Sequence, residues 1–249
     1  MYTQPIISFL KDLSFPSRCF DTMIWYVLSL MLPTDKHTQS FASLISGKND
    51  SLFSDLLNKK ITESWMLLNR SSKRRFKKYL KKRTPIVKGS KWTIALIIDS
   101  TLHKRSSRNS SNVQKFNHGN GFVLGHQWTN IGIQIGERFI PLPPIPFYTK
   151  EECLLKGIDY QTEHEKIYHF LKTFSFKEFG AEINGEEVVI LLDSGYDNKK
   201  IQKIILQREW DFIVSLKLHR LVSCNANNWS RIDKYFGDGR RSWTSIKSK

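Results

Sequence analysis

The chain has 249 residues, 40% of them hydrophobic, which is enough for one sizeable core plus a smaller domain and excludes a disordered tail. Its 39 Lys and Arg against 23 Asp and Glu leave a formal charge of +16, favouring a polyanionic partner, because each phosphate neutralised releases condensed counterions. Cys19, Cys153 and Cys224 are widely spaced and form no Cys-x-x-Cys pair, so neither a disulfide framework nor a zinc site is encoded, and all three read as core cysteines.

Residues 1–85 read as helical, cut by Pro16, Pro33 and the turn at 47–50 into helices near 18–32, 37–46, 51–58 and 61–82. The one long apolar stretch, Met23 to Leu32, covers roughly half of a bilayer. Flanked by Asp21 and Asp35, it is expected to be a buried helix. Lys11, Asp12 and Arg18 precede it and no small-residue cleavage site follows, which argues against a signal peptide and for a cytoplasmic protein. In the last helix Trp65, Leu68, Phe76, Tyr79 and Leu80 can form an apolar stripe. Around it stand Lys73, Arg74, Arg75, Lys77, Lys78, Lys81, Lys82 and Arg83, with no acid between positions 71 and 83. That density exceeds what a solvated face needs and points to DNA-backbone contact. Thr84-Pro85 closes the segment and marks a linker.

From Lys91 the pattern changes to strands. Trp92–Ile98 is the first, followed by Phe122–Trp128 and Ile131–Ile135 around small turns, then Arg138–Leu142 leading into a proline-rich loop. The stretch His103–Gly121, rich in Ser, Asn and basic residues, is expected to be a mobile loop. Glu163 to Phe174 has helical spacing with Ile167, Phe170, Leu171 and Phe174 on one face. Strand Val188–Leu192, helix Asn198–Gln207 with Ile201, Ile204 and Ile205 inward, and strand Phe212–Leu216 complete the order β-β-β-α-β-α-β. This is an α/β class, and the order is that of a ribonuclease H-like mixed sheet behind a small all-α amino-terminal domain.

The chemistry concentrates where two apolar runs stop on the same dipeptide, Thr93-Ile-Ala-Leu-Ile-Ile-Asp99-Ser100 and Val188-Val-Ile-Leu-Leu-Asp193-Ser194. Continuous apolar runs of this length are strands covered on both faces, and ligands gather at the carboxyl ends of such strands. An Asp just past a strand commonly caps a turn. The repeated punctuation instead favours two carboxylates sharing Mg²⁺ or Mn²⁺, hard cations that carboxylate oxygens hold. His103, His118 and His126 have no zinc spacing: His103 and His118 read as phosphate-facing or solvated, and His126 as a strand residue.

Together, Ile97-Ile-Asp99-Ser-Thr-Leu-His-Lys-Arg105, Gly125-His-Gln-Trp128 with Ile131 and Ile133, and Leu192-Asp193-Ser-Gly-Tyr196-Asp-Asn-Lys leading to Trp210–Lys217 resemble the catalytic domain of bacterial insertion-sequence transposases of the DDE type. The resemblance spans about residues 92–217 and divides the chain into a helical DNA-binding domain (1–85), a catalytic core (91–217) and the start of a β-rich insertion (218–249). It implies that Asp99 and Asp193 are the first two acids of the triad and metal ligands, with Lys104 and Arg105 joining the basic helix in binding DNA. Such enzymes cut transposon ends with Mg²⁺ and join the freed 3′-hydroxyl to target DNA. The implied partners are double-stranded DNA at transposon ends and target, without a membrane, and a homodimer is compatible with it.

No residue matches the family's third acid, a Glu. Glu209, Asp211 and Asp233 read as surface or turn acids, while Glu163 and Asp197 are the first alternatives to consider as a third ligand. Strand transfer by this chain alone is therefore expected to be poor, and a DNA-binding repressor is the main rival. Asp193-Ser-Gly also resembles an aspartic protease motif, but Asp99-Ser-Thr lacks the matching glycine. A phosphatase with an aspartyl nucleophile would place a second acid at Thr101.

Overall fold

The amino-terminal third is helical where capping residues meet apolar spacing. In the computed structural model, which describes residues 3–13, 17–33, 38–58, 64–105, 112–118, 121–216, 221–222, 230–231 and 234, five helices come first. They are α1 (Thr3–Asp12), α2 (Ser17–Met31), α3 (Gln39–Ser46), α4 (Asp50–Asn58) and α5 (Ser64–Leu80). Thr38 Oγ1 accepts from the Phe41 amide at 3.1 Å to start α3, and Gly47 ends it at φ 68°, a left-handed conformation that glycine adopts without strain. Leu10, Cys19, Ala42, Phe53 and Leu56 are buried in this region.

Helix α2 departs from the expected buried helix. Its buried positions are Cys19, Thr22 and Ser29, while Leu30, Met31 and Leu32 are exposed. The fully buried positions are small residues, residues 23–28 are half-buried, and only the carboxyl-terminal end of the apolar run is exposed.

Helix α5 is built into the core of the sheet that follows. Phe76 is fully buried between Phe176 and Phe179, with ring centroids 5.6 and 5.3 Å away. Ser72 Oγ donates to the Pro141 carbonyl at 2.6 Å. The face turned away from Phe76 is the basic one.

The sheet is formed by β1 (Ile94–Lys104), β2 (Gln114–His118), β3 (Gly121–Ile135), β4 (Arg138–Pro141), β5 (Ile145–Pro146), β6 (Val188–Leu192) and β7 (Asp211–Val214). Its order is β2-β3-β1-β6-β7, with β4 and β5 also on the outer edge of β3. β1 and β3 run antiparallel, and β1, β6 and β7 run parallel. The helices α6 (Lys150–Lys156) and α7 (Glu163–Thr173) connect β5 to β6, and α8 (Lys199–Gln207) connects β6 to β7. A reciprocal capping box between Thr162 and Glu165 opens α7.

The two faces of the sheet are covered unequally. Ile94, Leu96 and Ile98 of β1, with Ile131, Ile133 and Ile135 of β3 and Val188, Ile190 and Leu192 of β6, share one core with Ile167 and Leu171 of α7 and Ile201, Ile204 and Ile205 of α8. On the other face Leu191 stands between Ile97 and Ile213, and Ile213 is 46% exposed. There the Phe139 ring lies over Gly132, filling the space a Cβ would need.

Several elements differ from the sequence expectation. β1 does not stop at Ile98 but runs on to Lys104, because β3 stays paired with it after β6 has left. For the same reason β3 is one strand, with no turn at Thr129-Asn130. Part of the stretch expected to be a loop is β2, paired with Gly121–Gly125; residues 106–111 and 119–120 lie outside the described residues. α1 and α6 were not foreseen. In the segment expected to begin a β-rich insertion, β8 (Leu221–Val222) pairs antiparallel with β9 (Ser230–Arg231). Cys224, Asp233 and the hairpin suggested at 235–243 lie outside the described residues.

Candidate carboxylate and nucleic-acid site

The parallel register of β1 and β6 sets the geometry. Its last pair is Ile98 with Leu192, so Asp99 and Asp193 follow at the same level on adjacent strands. Central strands lie about 4.8 Å apart, and side chains at equal register on parallel strands point to the same face. Both aspartates are exposed. Asp99 ends the parallel pairing and not the strand, since it also pairs with Asn130 of β3. Asp193 sits before the short 3₁₀ turn Ser194–Tyr196 with φ −73° and ψ 163°, yet its carboxylate makes no capping hydrogen bond. The turn-cap role that usually explains such an aspartate is not the one it plays.

The opposite face of the same sheet end holds a satisfied polar network. Glu163, in the first turn of α7, accepts from Tyr196 Oη at 2.6 Å and Thr129 Oγ1 at 3.0 Å on one oxygen, and from Gln127 Nε2 at 2.8 Å on the other. Thr129 pairs with Ser100 and Gln127 with Leu102, one residue out of phase with Asp99. The pleat therefore puts this network on the helix-covered face. Burial, reinforced by the bond to Glu163, pushes the Tyr196 phenol well above the usual tyrosine range, so it stays protonated and remains a donor. His164 Nε2 lies 2.7 Å from the Gly195 carbonyl, a second tie between α7 and the turn that follows Asp193.

The two acids considered as further ligands are thus occupied elsewhere. Glu163 spends both oxygens on protein donors, and Asp197 Oδ1 accepts from Gln202 Nε2 at 2.8 Å at the start of α8. Among the described residues no group of three or more His, Cys, Asp and Glu is arranged to hold a metal ion. The donor set offered is two carboxylates whose hard oxygens suit Mg²⁺ or Mn²⁺. Asp211 accepts from Trp92 Nε1 at 2.6 Å and Glu209 occupies a turn at φ 60°, both structural roles.

The basic residues divide into two groups. Lys73 lies 3.9 Å from Glu178, Arg83 lies 3.3 Å from Glu187, and Arg75 Nη1 donates to Tyr79 Oη at 3.3 Å while its guanidinium covers Phe9. These three are tied into the fold. Arg74, Lys77, Lys78, Lys81 and Lys82 are exposed. Arg70, absent from the basic run counted along the sequence, joins them, because it lines the same shallow groove as Arg74 and Lys77. Helical spacing of 70, 74, 77, 78 and 81 was the signal that would have found it. Lys104 and Arg105 are exposed at the outer end of β1, and the Arg105 amide donates to the Leu124 carbonyl at 2.8 Å.

No protein-family model matches the chain, and no curated protein matches it. Among the described residues no helix is long and apolar enough to cross a membrane.

Proposed function

We propose that the chain is a bacterial insertion-sequence transposase of the DDE type, with a ribonuclease H-like core, acting in the cytoplasm on double-stranded DNA at transposon ends and target. The observation that carries the reading is the parallel register of β1 and β6, whose last pair, Ile98 with Leu192, is followed in each chain segment by an exposed aspartate, Asp99 and Asp193. Supporting it are the strand order, with its antiparallel β3-β1 pair continued by parallel β6 and β7, and the exposed cations of α5.

In this reading Asp99 and Asp193 hold Mg²⁺ or Mn²⁺, which would supply a polarised water or 3′-hydroxyl and charge stabilisation at the phosphorus. The carboxylates are positioned by the sheet and, for Asp193, by the ties of Glu163 and His164 to the turn behind it. Arg70, Arg74, Lys77, Lys78, Lys81 and Lys82 bind phosphates without reading sequence. One observation favours a second reading, a DNA-binding repressor without catalysis: among the described residues no group of three candidate ligands forms. Losing one stabilising element of a phosphoryl-transfer site costs about 10²–10³ in rate.

The test is Mn²⁺ binding followed by electron paramagnetic resonance, paired with a nicking and joining assay on terminal-repeat DNA. Mn²⁺ binding that weakens at least tenfold in both Asp99→Asn and Asp193→Asn is the expected result. Equal binding by wild type and both variants would refute the shared site. Retained DNA binding with no joining selects the repressor reading.

A further inference from the structure

Beyond Ile98 the sheet narrows to β1 and β3, with β5 beside Trp128 and β2 beyond it on the outer edge of β3, and its residues alternate between two faces. The face that continues from Asp99 carries Thr101, His103, Asn130, Trp128 and His126, with His103 directly opposite His126 and Thr101 opposite Trp128. On it three rings gather: Trp128 lies 6.2 Å from His103 and 5.8 Å from His126, centroid to centroid. His103 is exposed, and the other two are half-buried. The cluster lies outside the hydrophobic core and keeps an open edge at His103. It also differs from the rest of the ribbon's surface in chemistry, since cations flank it: Arg105 Nε donates to His126 Nδ1 at 3.3 Å, and Lys115 covers the Phe122 ring at 3.9 Å.

The backbone is shaped to keep these rings together. Gly125 faces Lys104 in the register, and a Cβ there would strike the His103 carbonyl, so only glycine lets β1 and β3 stay paired beside the rings. Partial burial, with Arg105 and His126 nearby, lowers the His103 pKa. At neutral pH its ring is uncharged, suited to stacking and less suited to gripping a phosphate.

We propose that Trp128, with His103 and His126, forms a stacking platform for an unpaired nucleobase of DNA, on the same sheet face as Asp99 and Asp193. Flat aromatic surfaces bind exposed bases of any sequence, while adjacent cations follow the backbone. Placed there, the platform holds the frayed or single-stranded end of a DNA whose backbone runs toward the carboxylates. This rests on the DNA reading above and adds to it the strand state that the site selects.

The experiment compares the full chain on two fluorescently labelled DNAs, a blunt duplex and the same duplex ending in a short single-stranded tail with 2-aminopurine in the tail. Wild type should bind the tailed DNA more tightly and quench the 2-aminopurine. Trp128→Ala should lose about 5- to 100-fold on the tailed DNA and little on the blunt one, the size of one base-aromatic stack. Trp128→Phe should keep most of the preference. The double variant His103→Ala/His126→Ala should weaken it, which keeps the proposal testable if Trp128→Ala fails to fold by circular dichroism. Blunt-duplex binding by wild type with no gain from the tail overturns the platform and leaves the DNA reading standing. A tail preference unchanged in folded Trp128→Ala, or in the double histidine variant where Trp128→Ala does not fold, overturns it equally. Failure of wild type to bind either DNA overturns both.

Discussion

The two faces of the sheet at the carboxyl ends of β1 and β6 carry acids of similar chemistry in opposite circumstances. On the helix-covered face, Glu163 receives three protein donors and locks the turn after Asp193 to α7. On the other, Asp99 and Asp193 stand exposed at matching register, and Asp193 forgoes the capping bond its position offers. A carboxylate that stabilises a fold is spent on partners. One kept for a ligand is left without them. The pairing of a rigid, satisfied face behind a bare, acidic one is how a protein holds ligand groups in place without consuming them.

Breaking the satisfied face should produce the largest loss. Glu163→Ala removes the acceptor from Tyr196 and Thr129, both of which are 3% exposed, so about 2–4 kcal/mol of stability should disappear in urea unfolding. A loss below about 0.5 kcal/mol would show that the network is not structural and that Glu163 is free to serve as a ligand. Tyr196→Phe is the milder cut, costing about 1–2 kcal/mol. It also carries a pH signature. The folded phenol titrates above the unfolded one, near 10, so its contribution is fully present below that pH and is lost as pH rises through the folded value. Alkaline unfolding curves should therefore fall less steeply for Tyr196→Phe than for wild type, and parallel curves would remove Tyr196 from the network.

How far the sequence foretold this depends on how local each signal is. The two buried strand segments and the exposed aspartate after each were legible, since an apolar run that stops on an acid marks a buried strand reaching the surface. The continuation of β1 past Asp99 was not. Ser100, Thr101, His103 and Lys104 carry no apolar run, and their strand is held by pairing with a partner more than twenty residues away in sequence. The role of Glu163 was hidden for a similar reason, since Thr129, Gln127 and Tyr196 are distant in sequence and meet it only after the sheet and α7 have packed. The apolar spacing of α7 and α8 translated directly, because Ile167, Leu171, Ile201 and Ile205 are all buried. In α5 the linear density of charge hid which cations the fold uses: Arg75 and Arg83 look the same as Lys78 and Lys81 until their partners come into view.

That division among the cations extends the comparison to α5. Alanine at Lys77, Lys78, Lys81 or Lys82, all exposed, should reduce the slope of log K against log salt for duplex DNA by about 0.9 for each phosphate that is no longer neutralised. Lys73 and Arg83 each lie beside an acid, Glu178 and Glu187, so their alanine variants should change the slope less. Anisotropy titrations over a range of NaCl concentrations separate the two groups. Equal slopes throughout would mean that the ion pairs within the protein do not decide which cations meet DNA.

The smallest effect should come from the bare face, and its smallness is the diagnostic. Asp99→Asn and Asp193→Asn change exposed side chains and remove no capping hydrogen bond at Asp193, so unfolding free energy should stay within about 0.5 kcal/mol of wild type. The double variant should likewise stay close to wild type, because both side chains are exposed. Added Mn²⁺ should raise the melting temperature of wild type and leave the double variant unmoved, since a ligand stabilises only the state that binds it. A variant whose stability falls by about 2 kcal/mol or more would place that aspartate among the structural acids, beside Glu163, and the contrast between the two faces would collapse.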